Sequence, residues 1–204
     1  MPEISTAKAR GRPKGFDDQS ALEAATRVFW QAGYDGASVD QLCRAMTMPR
    51  ASLYQSYGGK EGLFLATIAH YARSRMGPLI AALGPNGSLH DDMTDFFAEV
   101  VRLATADPET PGCLISCVLA DAAGTNSAFR DELDRRYSGL ETRLADRLRQ
   151  TTWRADAPVS PDAAAGLAAA TARGIMLRAR SGQSAQDLAP VAAAAVAALI
   201  HFSD

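Results

Sequence analysis

The sequence lacks the features that mark several common classes of protein. It has three cysteines in 204 residues, which excludes a fully paired disulfide framework of the kind that holds small secreted domains together. No apolar run approaches the roughly 18 residues of a membrane span. The basic N-terminal segment has no hydrophobic stretch after it and therefore does not resemble a signal peptide. We expect a chain of the cytoplasm that does not contact a membrane.

Features of an enzyme are also missing. The histidines, His70, His90 and His201, are scattered, and no acid–base pair or nucleophile-with-base motif stands out. We therefore expect no catalytic residue, no metal and no cofactor, and an all-helical enzyme is the weaker alternative. Neither half of the chain alternates apolar and polar residues as a strand does, so the expected fold class is all-α.

The net charge of −2 argues against a nucleic-acid-binding protein until its distribution is considered. The segment 1–16 has four basic residues against one acid, a net charge of +3, which leaves −5 for the rest of the chain. A basic arm on an acidic body suits a protein that contacts phosphate at one end. The alternatives for the arm are a solvated tail or a start codon assigned too far upstream.

The segment from Ser38 to Phe64 has the pattern of two short helices joined by a tight turn and followed at once by a third. Over Ser38–Met46, apolar residues recur at the spacing of a buried helical stripe, and Ser38 is a suitable N-cap. Pro49 fits the first turn of the next helix. A short helix with small and hydrogen-bonding side chains near its N-terminus can enter a DNA major groove, so we predict a helix-turn-helix.

An amphipathic helix that ends at Gly33 precedes these elements, and a basic arm precedes that helix. Together with SLYQSYGGKEGLF, this order of motifs over residues 11–66 resembles the N-terminal DNA-binding domain of the tetracycline-repressor (TetR) family. The resemblance implies a homodimeric one-component regulator. Our leading hypothesis is a repressor that leaves a palindromic operator in double-stranded DNA when a small effector binds. An activator and a nucleoid-type protein are the alternatives among DNA-binding proteins.

The resemblance and the residue types together give a set of candidate DNA contacts. We expect base contacts from Arg50, Ser52 and Gln55, with Ala51 offering its methyl group to thymine; the alternative for Arg50 is a phosphate contact. Phosphate contacts are expected from the helix start at Ser38, from Tyr54 and from Lys60, while Tyr57 is expected partly in the core. The arm residues Arg10 and Arg12 resemble side chains that lie in a minor groove.

The chain departs from the family at Thr47, where members usually have glycine in the turn. A β-branched residue resists the left-handed backbone that glycine tolerates. We therefore expect a turn that is rearranged or strained by about 1–3 kcal/mol.

The remaining sequence predicts further helices, for a total of about nine. Turn clusters separate six predicted helices. They are Lys60–Leu83, one that starts at Ser88, Cys113–Ala123, one that ends near Trp153, Pro161–Arg180 and Ala185–Phe202. We expect an arm at 1–16, a DNA-binding domain at 17–62 and a ligand-binding and dimerisation domain at 63–204. The last two helices are rich in alanine, which suits either a close-packed dimer interface or simple helix propensity.

The sequence gives less specific evidence for a ligand-binding pocket. The candidate pocket residues, which could equally be ordinary core, are Tyr71, Met93, Phe96, Phe97, Cys113, Cys117, Phe129 and Tyr137. Cys113 and Cys117 would share a face of the sixth helix near its N-terminus, where the pKa of a thiol is lowered. Three interpretations remain open for the pair: two small buried residues, a redox or electrophile sensor, or a soft-metal site.

Overall fold

The structure, a computed structural model, describes residues 18–203. In this range it has ten α-helices, one π-helical turn and no strand, so the prediction of an all-α fold is confirmed. The elements are α1 Asp18–Gly36, α2 Val39–Ala45, α3 Arg50–Tyr57, α4 Lys60–Arg75, α5 Gly77–Ala82, α6 Leu89–Thr105, the π-helical turn Ile115–Leu119, α7 Ala120–Ala122, α8 Ser127–Arg149, α9 Pro161–Arg180 and α10 Ala185–Ile200.

The predicted fourth helix is divided in two. The structure ends α4 at Arg75 and begins α5 at Gly77, because Pro78 in the first turn of α5 has no N–H to continue the hydrogen bonding of α4. The predicted sixth helix also differs, since Cys113 precedes it and a π-helical turn occupies most of it. The helix predicted to end near Trp153 ends at Arg149.

The body of the molecule is built around α6. Its apolar stripe, Met93, Phe96, Phe97 and Val100, is fully buried against α5, α9 and α10. Ser88 caps α6 through a reciprocal pair of hydrogen bonds with Asp91, which fixes where the helix starts. Ser160 and Ser184 cap α9 and α10, which then pack against α6 and against each other.

Four aromatic rings join the first helices to the body. Phe29 and Tyr34 of α1 contact Phe64 of α4, and both Tyr34 and Phe64 meet Phe129 of α8, with ring centroids 4.6 and 5.0 Å apart, respectively, in edge-to-face geometry. We call these residues the aromatic cluster. It makes α1 and α4 a rigid support for the short helices α2 and α3.

A buried ion pair holds α6 to α8. The Arg147 Nε donates to Asp92 Oδ2 at 2.6 Å, and both side chains are at least nine-tenths buried. The other carboxylate oxygen of Asp92 accepts from the backbone N–H groups of Asn86 and Gly87, each at 3.1 Å. A side chain at Gly84 would place its Cβ 2.4 Å from Asp92, so the loop before α6 closes over this carboxylate.

No helix within residues 18–203 is both long enough and apolar enough to cross a membrane.

Arg147→Met is expected to reduce the free energy of unfolding by about 3–5 kcal/mol, because it leaves the Asp92 carboxylate buried without its cation. Arg149→Met removes only exposed ion pairs and is expected to cost less than about 1 kcal/mol. Urea unfolding of both variants at one protein concentration measures the difference. Equal losses for the two variants would contradict the role given to the buried pair.

Candidate nucleic-acid interface and ligand cavity

The turn between α2 and α3 is closed by a Schellman motif. The N–H of Met48 donates to the carbonyl of Cys43 at 2.9 Å, and the N–H of Thr47 donates to that of Arg44 at 3.2 Å. Thr47 takes the left-handed position, with φ of 51°, that glycine normally fills in this motif. The turn is therefore not rearranged, and Thr47 has the left-handed backbone that we expected to carry strain. Met48, buried beyond it, fixes the direction in which α3 leaves the turn.

Helix α3 is held on one side and free on the other. Leu53 is fully buried and Tyr57 is half-buried, while Arg50, Ala51 and Gln55 are exposed and Ser52 is half-buried. Pro49 is the N-cap and α3 starts one residue after it, at Arg50. Because the side chains of residues 50, 51 and 55 point to solvent, this face of α3 is able to approach another surface.

Arg50 is the exposed cation at the start of α3. Its Nη1 lies 3.1 Å from Asp40 Oδ1 of α2, and its guanidinium is 6.0 Å from the ring centroid of Tyr54. A hydrogen bond with Tyr54 and the charge of Asp40 raise the pKa of Arg50 above its ordinary value. An exposed pair of this kind is easily exchanged for another partner, so Arg50 remains available to DNA.

The residues expected to contact phosphate lie near the C-terminal end of α3. The ring of Tyr54 is 47% exposed and lies over Gly59, at the turn into α4. Lys60 donates to the carbonyl of Asp35 at 3.3 Å and lies over the ring of Tyr34, which leaves two of its three N–H donors for a phosphate. Burial raises the pKa of Tyr57, which keeps its phenol protonated.

Ser38 caps α2 as the sequence predicts. Its hydroxyl accepts from the N–H of Gln41 at 3.1 Å, and the Gln41 side chain accepts in return from the N–H of Ser38. The hydroxyl proton of Ser38 is not used in this capping box, so it can still be donated to a phosphate. The two remaining candidates, Arg10 and Arg12, lie outside the described residues.

A cavity of about 460 Å³ opens between α4, α5, the π-helical turn, α8 and α9. Its lining includes the apolar side chains Met76, Ile80 and Leu140. It also includes five arginines: Arg73, Arg135, Arg136, Arg143 and Arg173. We call it the arginine cavity. Its volume is within the usual range for a small-molecule site, about 300–1,000 Å³.

The outer face of α9 and α10 is apolar. Leu167 and Leu177 of α9 are 54% and 52% exposed, and with Tyr54 they are the large exposed hydrophobic residues of the described chain. Leu167 shares a shallow groove with Ala194 and Ala198 of α10. The alanines have two environments, because residues such as Ala168 and Ala192 pack inside the protomer while others form this outer face.

Three comparisons with known proteins identify the family of this fold. The profile described as "Bacterial regulatory proteins, tetR family" matches residues 21–67, which span α1, α2, α3 and the start of α4. The chain is 32% identical over 136 residues to the uncharacterized HTH-type transcriptional regulator YezE of Bacillus subtilis, a match covering 67% of this chain and 68% of that protein. The chain belongs to the TetR family. It is a helix-turn-helix transcriptional regulator.

Other members are similar over nearly the whole chain. The HTH-type transcriptional repressor ComR of Escherichia coli is 29% identical over 188 residues, which cover 91% of this chain and 90% of ComR. The TetR family regulator CifR, solved as a cysteine mutant with a 26-bp double-strand operator DNA, superposes with a TM-score of 0.81 at 29% identity, covering 92% of this chain and 99% of CifR. The likeness therefore covers nearly the whole chain.

The residues predicted to line a TetR-type pocket are dispersed. Cys113 and Tyr137 line the arginine cavity. Tyr71 borders a small space of about 140 Å³ between α1, α4 and α6, and Phe97 borders a groove between α6 and α10. Three further candidates, Met93, Phe96 and Phe129, are fully enclosed by the core.

The cysteine pair does not have the environment expected from its position. Burial raises the pKa of the Cys117 thiol, whereas we predicted a lowered pKa at a helix N-terminus; that expectation is wrong for Cys117 because desolvation is the largest influence. Cys113 is buried beside the cavity and Cys117 is half-buried. Within residues 18–203, no group of three or more potential metal ligands is present.

The arginines of the cavity were not anticipated from the sequence. Arg136, Leu140 and Arg143 follow the i, i+4, i+7 spacing of one face of α8, and that regularity was the available signal. Arg73 and Arg173 come from α4 and α9, so only the fold brings them to the same space.

Thr47→Gly is expected to raise the free energy of unfolding by about 1 kcal/mol, because glycine adopts a left-handed backbone without a steric penalty. Thr47→Ala keeps a Cβ at the same φ and is expected to gain little. Urea unfolding of both variants measures this difference. A Thr47→Gly protein no more stable than Thr47→Ala would show that the turn stores no strain.

Proposed function

We propose that this TetR-family protein is a homodimeric repressor that reads a palindromic DNA operator with the α3 helix of each protomer and leaves it when a small effector occupies the arginine cavity. The DNA-binding domain comprises residues 17–62, with the arm 1–16 in the minor groove, and residues 63–204 bind the effector and form the dimer. We place the protein in the cytoplasm, as a regulator without catalytic activity.

The observation that carries the DNA-binding part is the exposed face of α3. Arg50, Ala51 and Gln55 project from a short helix whose opposite side is anchored by Leu53. Arginine can bond guanine, and glutamine can bond adenine, through two atoms each in the major groove. CifR was solved in complex with operator DNA, and ComR is named as a transcriptional repressor. Both relatives support the proposal that this protein binds an operator as a repressor.

The dimer is supported by the outer face of α9 and α10. Leu167 and Leu177 are more than half exposed on α9, although the other large apolar residues of this helix are buried. Around them the exposed side chains of α10, including Ala194 and Ala198, are small enough for a partner's helices to approach closely. A two-fold pair of protomers matches the symmetry of a palindromic operator.

The effector part is supported by the path of α4. Phe64, near its start, contacts Phe29 of α1, and Ala72 and Arg73, near its end, line the arginine cavity. One helix thus borders both sites. A ligand that prefers a displaced position of α4 would reduce the population of the DNA-binding conformation.

Arg50→Ala is expected to weaken binding to the preferred operator about ten- to hundredfold and to relax base preference at one position of each half-site, because a two-atom contact to guanine is lost. Tyr54→Phe removes a phosphate contact and is expected to weaken all sequences alike. The affinities of both variants for a set of duplexes with single base changes measure the loss of affinity and the loss of base preference. Uniform weakening by Arg50→Ala would contradict the base contact.

Leu167→Glu is expected to convert the dimer into monomers at micromolar concentration, because it places a charge in an apolar interface. Ser138→Glu adds the same charge to an exposed position of α8 and serves as the control. Sedimentation equilibrium measures the molar mass of both. A Leu167→Glu protein that stays dimeric would place the interface elsewhere.

A further inference from the structure

The lining of the arginine cavity is strongly unbalanced in charge. Five arginines line it, and no aspartate, glutamate or histidine is among the lining residues. They come from three helices: Arg73 from α4, three from α8 and Arg173 from α9. A cavity lined by cations and by no acidic residue favours a bound anion over a bound cation.

Carboxylates outside the lining compensate only part of this charge. Glu132 is shared by Arg135 and Arg136, with Arg136 Nε 2.7 Å from Glu132 Oε1. Arg173 Nη2 lies 2.5 Å from Glu141 Oε1. The side chains of Arg73 and Arg143 have no ion pair or hydrogen bond with any residue in 18–203. Five cations therefore face two carboxylates.

Arg173 is incompletely paired although it lies mostly inside the protein. Its guanidinium stacks on the ring of Tyr137 at 3.8 Å, and its side chain is 20% exposed. Its Nε is buried and has no acceptor among the described residues. An unpaired buried donor is unfavourable, so an acceptor that reached Nε would remove this cost.

Tyr137 adds a neutral donor to the lining. Burial raises the pKa of Tyr137, so its phenol stays protonated and can donate to an anion. Met76, Ile80 and Leu140 add apolar side chains that lie between the arginines in sequence. The lining thus offers contacts for a charged group and for hydrocarbon in the same space.

We propose that the arginine cavity binds an amphipathic organic anion, with an oxyanion head (carboxylate or phosphate) held by Arg73, Arg143 and Arg173 and an apolar body against Met76, Ile80 and Leu140. The planar guanidinium matches both kinds of head group through two parallel hydrogen bonds. This rests on the proposed function only in naming the ligand as the effector. Arg73 lies in the last turn of α4, so the head group would bind the end of the helix whose start supports α3.

The test is isothermal titration calorimetry on the full-length protein without DNA. The first set of probes shares a ten-carbon chain: decanoate, decyl phosphate and decan-1-ol, each below its micelle concentration. The second pair shares an aromatic body: naphthalene-2-carboxylate and naphthalene-2-carboxamide. We expect at least one anion to bind about tenfold or more tightly than its neutral counterpart, because hydrogen bonds to charged groups are the stronger kind. Decanoate against decyl phosphate identifies the preferred head group.

Variants identify the site of binding. Arg143→Gln and Arg73→Gln each remove a charge from the cavity and are expected to weaken the anion about tenfold and the neutral probe little. Arg130→Gln removes an exposed charge from the same helix as Arg143, outside the cavity, and is expected to change neither. The proposal is overturned if no anion binds, if the neutral probes bind equally well, or if Arg130→Gln weakens binding as much as Arg143→Gln.

The same probes separate this proposal from the proposed function. An anion that binds with the expected dependence on arginine but leaves operator affinity unchanged would support the cavity assignment and contradict its role as the effector site. Loss of operator binding on addition of the anion, absent in Arg143→Gln, would support both.

Discussion

The orientation of the DNA-binding helices depends on the aromatic cluster. Phe29 and Tyr34 of α1 contact Phe64 of α4, and Phe129 of α8 closes the group with centroids 4.6 Å from Tyr34 and 5.0 Å from Phe64. Edge-to-face pairs of this kind contribute about 0.5–1.5 kcal/mol each beyond the area they bury. Because the geometry of these ring pairs is directional, they fix the angle at which α1 packs against α4 and α8 as well as holding the helices together.

Polar contacts from α8 and α9 reinforce the same junction. Asn126, the N-cap of α8, donates to Glu61 of α4 at 3.0 Å. Arg180, at the end of α9, donates to the carbonyl of Trp30 in α1 at 3.1 Å. The proposed dimer helix α9 thus contacts the DNA-binding domain directly. The spacing of two α3 helices in a dimer would then follow from the packing of α1, α4, α8 and α9.

This packing suggests how a ligand could alter DNA binding. DNA half-sites one helical turn apart are separated by about 34 Å, and both α3 helices must match that spacing. A small change in the angle of α4 would be transmitted through the aromatic cluster to both of them. The effect depends on differential affinity, since a ligand that binds both conformations equally shifts no population.

Much of the fold could be predicted because local signals define it. Serine caps and turn residues set the bounds of α9 exactly and those of α10 within two residues, and the helix-turn-helix was evident from its periodicity and Ser38. The break at Met76 was missed although Gly77-Pro78 marked it, because the apolar pattern of α4 continues across it in sequence. Local signals do not show which residues distant in sequence come into contact. For that reason, neither Tyr34 in the aromatic cluster nor the arginines of the cavity were predicted.

Among the site residues, too, local signals predicted some positions and missed those that depend on contacts between distant parts of the chain. The exposure of Arg50, Ala51 and Gln55 follows from the period of α3 and the anchoring of Leu53, so a sequence pattern suffices to nominate them. The pocket candidates were chosen as aromatic or sulfur-containing residues, and in a helical protein such residues are also the ordinary core. Met93 and Phe96 are examples. The polarity of a cavity depends on which charged side chains lack partners, and this requires the fold.

The most direct test of the central claim is selection of bound sequences from a random duplex pool, using the purified full-length protein under reducing conditions. We expect recovery of one palindrome whose half-sites are spaced for two α3 helices on the same face of the DNA. Recovery of no preferred sequence by a folded, dimeric protein, or of a single unrepeated site, would contradict the claim that α3 of each protomer reads one half of an operator.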